Sequence, residues 1–169
     1  MTIYTDGACR GNPGPGGFGV VIFDPVKVNE IKHVYRESSE YTTNNREELK
    51  AILYAMNYVD DFFLENPVLI LSDSAYCVNI LNDWIFKWAQ NGWKRKDNQP
   101  IENLDLIKEL YKKVSQDFYH CQVYKIPGHS GCIGNELADA LATNNNSKFD
   151  KIIKEYNIVI ENYKKLWYN

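Results

Sequence analysis

Three acidic residues stand where carboxylates do chemistry. Asp6 closes a β-branched and aromatic run, Ile3-Tyr4-Thr5, and Asp73 closes the apolar run Val68-Leu69-Ile70-Leu71-Ser72. Glu48 lies between them on an amphipathic segment with Leu49, Ile52, Leu53 and Met56 in one stripe. If the two runs are neighbouring parallel strands, their C-terminal ends share one sheet edge, where ligands of α/β folds bind, and the aspartates lie side by side. At ~100° per residue, Glu48 falls on the edge of the stripe with Ile52 and Val59, and Glu47 points away toward solvent, where helix capping gives it a use. Taken alone, Glu48 also reads as a boundary residue paired with a lysine. With two aspartates beside it, the set repels itself unless proton affinities rise or a cation binds. An all-oxygen donor set suits a hard divalent ion, Mg²⁺ by default.

Two further residues are candidates. Asp139 shares a helix face with Glu136 at i, i+3 in Gly134-Asn135-Glu136-Leu137-Ala138-Asp139, and reads either as a fourth ligand or as a solvated surface acid. His129 sits in the turn Pro127-Gly128-His129-Ser130-Gly131 near a strand end. It reads as a proton shuttle or as a turn residue without a role.

The elements that must position these groups follow from pattern. Residues 2–6, 18–28 and 31–40 read as strands with short connections, an antiparallel meander. The Gly- and Pro-dense stretch Gly7 to Gly17 first suggests a phosphate cradle, but such cradles open onto a helix. Here a β run follows, which makes a hairpin. Asn44 suits an N-cap, with Glu47 three residues later as in a capping box. The uninterrupted apolar run 68–72 suits a strand buried on both faces. A helical segment over 74–82 follows, then an aromatic, locally basic stretch from Trp84 to Lys96. A helix over 102–116, a fifth strand over 121–126 and helices over 134–143 and 148–169 complete the order.

A chain of 169 residues, 44% hydrophobic and 24% charged, makes one compact α/β domain. The net charge of −3 argues mildly against nucleic acid, so local clusters must carry that case. Four cysteines without a CxxC pair read as reduced thiols and speak against a zinc site. With no targeting peptide or membrane-spanning run, a cytoplasmic protein without membrane contact is expected.

Taken together, these stretches resemble ribonuclease H of type 1. The matching segments are residues 4–17, Thr42-Thr43-Asn44-Asn45-Arg46-Glu47-Glu48-Leu49, Ser72-Asp73-Ser74-Ala75-Tyr76-Cys77, Gly92-Trp93-Lys94 and the two motifs within 128–139. They occur in the family's order and span roughly residues 1–143; five motifs in register are highly specific. The resemblance implies an α/β ribonuclease H-like fold, a mixed five-stranded sheet of order 3-2-1-4-5 with strand 2 antiparallel, flanked by helices. It implies a catalytic domain over residues 1–145 and a helical tail over 146–169 packed on it. It also implies a monomer that hydrolyses the RNA strand of RNA–DNA hybrids with two Mg²⁺ ions, Mn²⁺ being a possible substitute, and leaves 5′-phosphate and 3′-hydroxyl ends. The family's metal carboxylates fall on Asp6, Glu48, Asp73 and Asp139, and its loop histidine falls on His129.

Substrate contacts carry over in the same way. Asn12, Asn44 and Asn45 match polar residues near the cut, where amides suit a 2′-hydroxyl that both donates and accepts. Thr43 and Asn103 match a pocket for a DNA phosphate. Trp84 and Trp93 match aromatics on the DNA side, though core packing of a helical hairpin explains them as well. The segment 84–101 matches the family's basic protrusion, where Lys87, Lys94, Arg95 and Lys96 supply charge that Asp83 and Asp97 dilute. Binding lost at modest salt is therefore expected. Ala75 stands where some members place a glutamine. The tail, with Tyr163, Lys164, Lys165, Trp167 and Tyr168, lies outside the resemblance and is expected to pack on the domain. No separate N-terminal hybrid-binding module is expected, since the motif begins at residue 4. Two rival readings are a nucleic-acid-binding module of the same fold without turnover and a DNA-cutting integrase or resolvase. The intact carboxylates weigh against the first. Asn44-Asn45, the protrusion and the 128–131 turn weigh against the second.

Overall fold

The computed structural model describes residues 1–27, 29–60, 67–116 and 121–161. Strand β1 (Thr2–Cys9) pairs antiparallel with β2 (Gly14–Phe23), from Thr2 opposite Phe23 to Cys9 opposite Gly16. The glycine-rich stretch is thus a hairpin, closed by the Arg10 N–H donating to the Pro15 carbonyl at 2.8 Å. β2 begins four residues earlier than the pattern indicates, because Gly16 approaches the Ala8 carbonyl too closely for any side chain. Strand β3 (Glu30–Thr42) completes the meander. Helix α1 (Asn44–Asp60) crosses back to β4 (Val68–Ser72), which lies parallel to β1, and β5 (Cys121–Lys125) lies parallel to β4.

Between β4 and β5 the chain is helical for longer than the pattern suggests. Helix α2 (Ala75–Asn79) runs through a π-turn, Ile80–Trp84, into α3 (Ile85–Gln90), and α4 (Leu104–Val114) follows. Helix α5 (Ile133–Ala142) precedes α6 (Asn146–Glu155). The expected helix over 148–169 is corrected: α6 stops at Glu155, and Val159–Ile160 form a short strand, β6, parallel to β3. The sheet therefore has six strands in the order β5-β4-β1-β2-β3-β6 rather than five. β6 is too short for periodicity to reveal and exists because β3 offers it an open edge. The tail residues Tyr163, Lys164, Lys165, Trp167 and Tyr168 lie outside the described residues.

Two apolar layers flank the sheet. Ile3, Val20, Ile22 and Ile70 pack on Leu49, Ile52 and Met56 of α1 and Ile107 and Leu110 of α4. Val21, Ile31 and Val34 pack on Leu137 and Leu141 of α5 and Phe149 of α6. The alternation of Val20, Val21 and Ile22 between the layers is the two-residue period of a strand. β4 departs from its expected burial on both faces. Val68 and Ile70 are fully covered, but Leu69 is 36% exposed, because α5 packs over β1, β2 and β3 and leaves this side of β4 open.

Candidate metal centre and nucleic-acid face

The parallel β1–β4 register pairs Thr5 with Ser72, so Asp6 and Asp73 follow side by side at the sheet edge. Glu48 reaches them because α1 crosses β1 in backbone contact at Gly7. A Cβ on Gly7 would lie 2.2 Å from the Glu48 backbone nitrogen. The oxygens of Asp6, Glu48 and Asp73 lie within 4.8 Å of one another. Burial pushes the Asp6 carboxyl up to about 8, helped by the charges of Asp73 and Asp139 and opposed by hydrogen bonds from Gly7 and Glu48. Burial, then Asp6 and Asp73, holds Glu48 well above the usual carboxylate range. Glu48 Oε2 is buried without a hydrogen-bond partner. An orphaned acceptor and mutually repelling carboxylates, all oxygen donors, fit a hard divalent cation.

Asp139 on α5 is not part of that tight group. Its Oδ2 accepts from Lys148 Nζ of α6 at 2.6 Å, although its charge is felt at Asp6. His129 is exposed, with φ 49°, in a turn whose Ser130 hydroxyl donates to the Pro127 carbonyl at 2.9 Å. The turn comes close to the centre at Gly128, where a Cβ would lie 2.7 Å from Asp73 Oδ2.

One residue escaped the sequence reading and another was misplaced by it. Asn135 is buried on α5, and its Nδ2 donates to Asp73 Oδ2 at 3.1 Å. It lay inside a motif, but an asparagine on a helix gives no signal of which carboxylate it meets. Glu47 does not face solvent; it is 0% exposed. Its Oε1 accepts from Ser39 at 2.9 Å, Thr42 at 2.7 Å and Lys50 at 2.9 Å. β3 is long enough to run past the start of α1 and cover the face that the helical wheel assigned to water. Capping is corrected as well: the Thr43 hydroxyl accepts from the Arg46 N–H at 3.3 Å, so Thr43 rather than Asn44 caps α1.

The polar candidates gather beside the carboxylates. The Asn44 N–H donates to Asn12 Oδ1 at 3.0 Å, tying the hairpin loop to the start of α1, and Asn45 follows on the first turn. Arg46 links the proposed phosphate pair. Its backbone N–H meets Thr43 and its guanidinium meets Asn103 Oδ1 at 3.4 Å while forking onto Asp105 at 3.0 and 2.6 Å.

The RNase H family model matches residues 1–147. The chain belongs to the ribonuclease H family. It is 43% identical over 158 residues to the Ribonuclease H of Caldanaerobacter subterraneus, covering 92% of this chain and 94% of the relative. It is 40% identical over 146 residues to the Ribonuclease HI of Pasteurella multocida, covering 84% and 86%. Among solved structures it resembles LC9-RNase H1, described as a type 1 RNase H with the type 2 active-site motif, at a TM-score of 0.73 and 28% identity over 95% of this chain and 85% of that one. It also resembles LC11-RNase H1 in complex with RNA/DNA hybrid, at a TM-score of 0.60 and 28% identity, covering 90% and 98%.

In this chain the aromatic stretch builds a cleft of about 830 Å³ lined by Tyr76, Trp84, Trp88, Lys94, Arg95 and Lys96. Trp84 is half-buried against Tyr76 and Trp88 at ring distances of 6.3 and 5.8 Å. Trp93 packs edge-on against Tyr111 at 5.2 Å, with Lys108 Nζ 5.6 Å from its ring centre. Both tryptophans thus carry packing while keeping partly open faces. Lys94 is exposed and its carbonyl accepts from Asn91 Nδ2 at 2.9 Å. Two of the nearby charges are engaged locally, Lys87 with Asp83 at 2.6 Å and Arg95 with Asp97 at 4.0 Å.

Proposed function

We propose that this chain is an endoribonuclease that cleaves the RNA strand of RNA–DNA hybrids in a Mg²⁺-dependent reaction. The observation that carries the reading is the tight group of Asp6, Glu48 and Asp73 at the C-terminal ends of two parallel strands in a chain of the ribonuclease H family. These three carboxylates, with Asp139 on the α5 side, hold the metal; Mn²⁺ has the same preference for oxygen and is a substitute. Two such ions, when bound, supply a deprotonated attacking water and neutralise charge on the departing 3′ oxygen, leaving 5′-phosphate and 3′-hydroxyl ends.

The protein's own groups do the rest. Asp6 is the central ligand, because its carboxyl interacts with Glu48, Asp73 and Asp139 alike. Asn135 holds Asp73 in place through the 3.1 Å hydrogen bond. Asn12, Asn44 and Asn45 present amides to the RNA 2′-hydroxyls, the group that separates RNA from DNA. The Thr43 hydroxyl oxygen accepts from Arg46, which leaves its proton to donate to a DNA phosphate beside Asn103. Trp84, Trp93 and Lys94 flank the DNA strand. His129, exposed on its turn, exchanges a proton through its imidazole with the leaving oxygen or assists product departure. Among the described residues no helix is long and apolar enough to cross a membrane. The four cysteines are free thiols, which suits a monomer working in the reducing cytoplasm.

The test is a comparison of three labelled substrates in Mg²⁺: the RNA–DNA hybrid, the matching RNA duplex and the DNA duplex. Cleavage of the RNA strand of the hybrid alone is expected. Equal cutting of all three contradicts the reading, and binding of the hybrid without cutting would make the protein a recognition module instead.

A further inference from the structure

Of the four acids assigned to the metal, Asp139 differs from the others in already having a cation. Lys148 Nζ lies 2.6 Å from Asp139 Oδ2 and 2.6 Å from Glu136 Oε2, and the three side chains are 29%, 21% and 22% exposed. Among the described residues, Asp6, Glu48 and Asp73 form no ion pair. Lys148 is the residue just past the family match, which ends at 147, and it is brought to α5 by α6, whose Phe149 is fully buried in the layer containing Leu137 and Leu141.

We propose that Lys148 is a resident counter-ion of Asp139, which a divalent ion must displace when it binds on the Asp139 side of the centre. The inference rests on the assignment of Asp139 to the metal made above. A hard cation on Asp139 and an ammonium 2.6 Å from the same carboxylate repel each other, so the two compete for its charge. The lysine stem is flexible and its ammonium is a point charge. Glu136, one turn before Asp139, is the second anchor on which the ammonium stays after leaving Asp139. The arrangement therefore offsets part of the Asp139 charge in the metal-free protein and makes the Asp139-side ion the weaker-binding one. Among the described residues the other three acids have no such competitor.

Position 148 can be changed without unmaking α6. The helix start is capped through the Lys148 backbone N–H donating to Asn145 Oδ1 at 3.0 Å, a bond that any side chain retains. The experiment is calorimetric titration of Mn²⁺ into metal-free protein, alone and with a hybrid made uncleavable by a 2′-O-methylated RNA strand. Lys148→Met is expected to tighten Mn²⁺ binding about two- to fivefold, the range of one partly exposed ion pair. Lys148→Arg, which forks onto carboxylates more firmly, is expected to bind Mn²⁺ no tighter than the unsubstituted protein. In an Asp139→Asn background Lys148→Met is expected to change nothing. Lys148→Gln gives the same readout should the methionine perturb folding, which circular dichroism checks. Unchanged or weaker Mn²⁺ binding in both neutral variants overturns the inference. If Asp139→Asn itself binds Mn²⁺ as tightly as the unsubstituted protein, the metal assignment fails and takes the inference with it. If Asp139→Asn weakens binding while the neutral variants do not tighten it, only the role of Lys148 is lost.

Discussion

Asp6 and Asp73 are neighbours by backbone register alone: each follows one member of the Thr5–Ser72 pair in the parallel β1–β4 ladder. No turn or flexible side chain is needed to bring them together, so their repulsion is fixed into the fold and can be measured. Burial and the charges of Asp73 and Asp139 raise Asp6 to about 8, against an ordinary value of 3.8. Between those values the folded state holds a proton that the unfolded chain releases. Stability of the metal-free protein therefore falls as pH rises through this window. Asp6→Asn removes the penalty, which is on the order of a few kcal/mol. In chelator, thermal unfolding should show the variant more stable than the unsubstituted protein at pH 8, with the gap shrinking toward pH 5. Excess Mg²⁺ should close it by stabilising the unsubstituted protein. A gap independent of pH contradicts the assignment.

Glu47 and Glu48 are adjacent, yet only Glu48 lies with Asp6 and Asp73 in the candidate metal centre. Glu47 ties β3 to α1 through Ser39, Thr42 and Lys50. Glu47→Gln keeps the shape and loses the charge, leaving Lys50 without its carboxylate partner. The expected cost is about 1–3 kcal/mol of stability by denaturant titration, with the cleavage rate of the folded enzyme nearly unchanged. A large loss of rate at unchanged stability would place Glu47 in the chemistry.

Asn135 donates to Asp73 at 3.1 Å, so any effect it has on the reaction is expected to run through Asp73. Residues that orient metal ligands typically contribute tenfold or more to metal affinity or activity. Asn135→Ala is expected to lower both Mn²⁺ affinity and cleavage rate about tenfold, with a smaller effect on hybrid binding measured in chelator. Unchanged metal affinity contradicts this role.

The protrusion should make binding salt-sensitive through few contacts. Lys94 is exposed, whereas Lys87 and Arg95 have local acidic partners. Lys94→Ala is expected to weaken hybrid binding whatever the sequence and to reduce the slope of log affinity against log salt by about one. An unchanged slope means that Lys94 does not meet a phosphate.

The legible parts of this protein were those written in backbone and period. An apolar run ending in Asp73 and a β-branched run ending in Asp6 required only parallel pairing to become a site. The stripe on α1 placed Glu48 on the correct side. What the sequence hid depended on distant segments. Glu47 was assigned to water because a helical wheel knows nothing of a 13-residue strand folding over its other face. β6 is two residues long and has no periodicity of its own; only the open edge of β3 makes it a strand. Lys148 and Asn135 are ordinary helix residues until α5 and α6 pack, after which one holds Asp139 and the other Asp73.

The central claim, that carboxylates at the β1–β4 edge hold the metal that cleaves RNA in a hybrid, is tested most directly by the rate of hybrid cleavage in Mg²⁺ by Asp73→Asn, with its fold confirmed by circular dichroism. A fall of about 10²-fold or more at unchanged secondary structure is predicted. A rate within about tenfold of the unsubstituted protein would contradict the account.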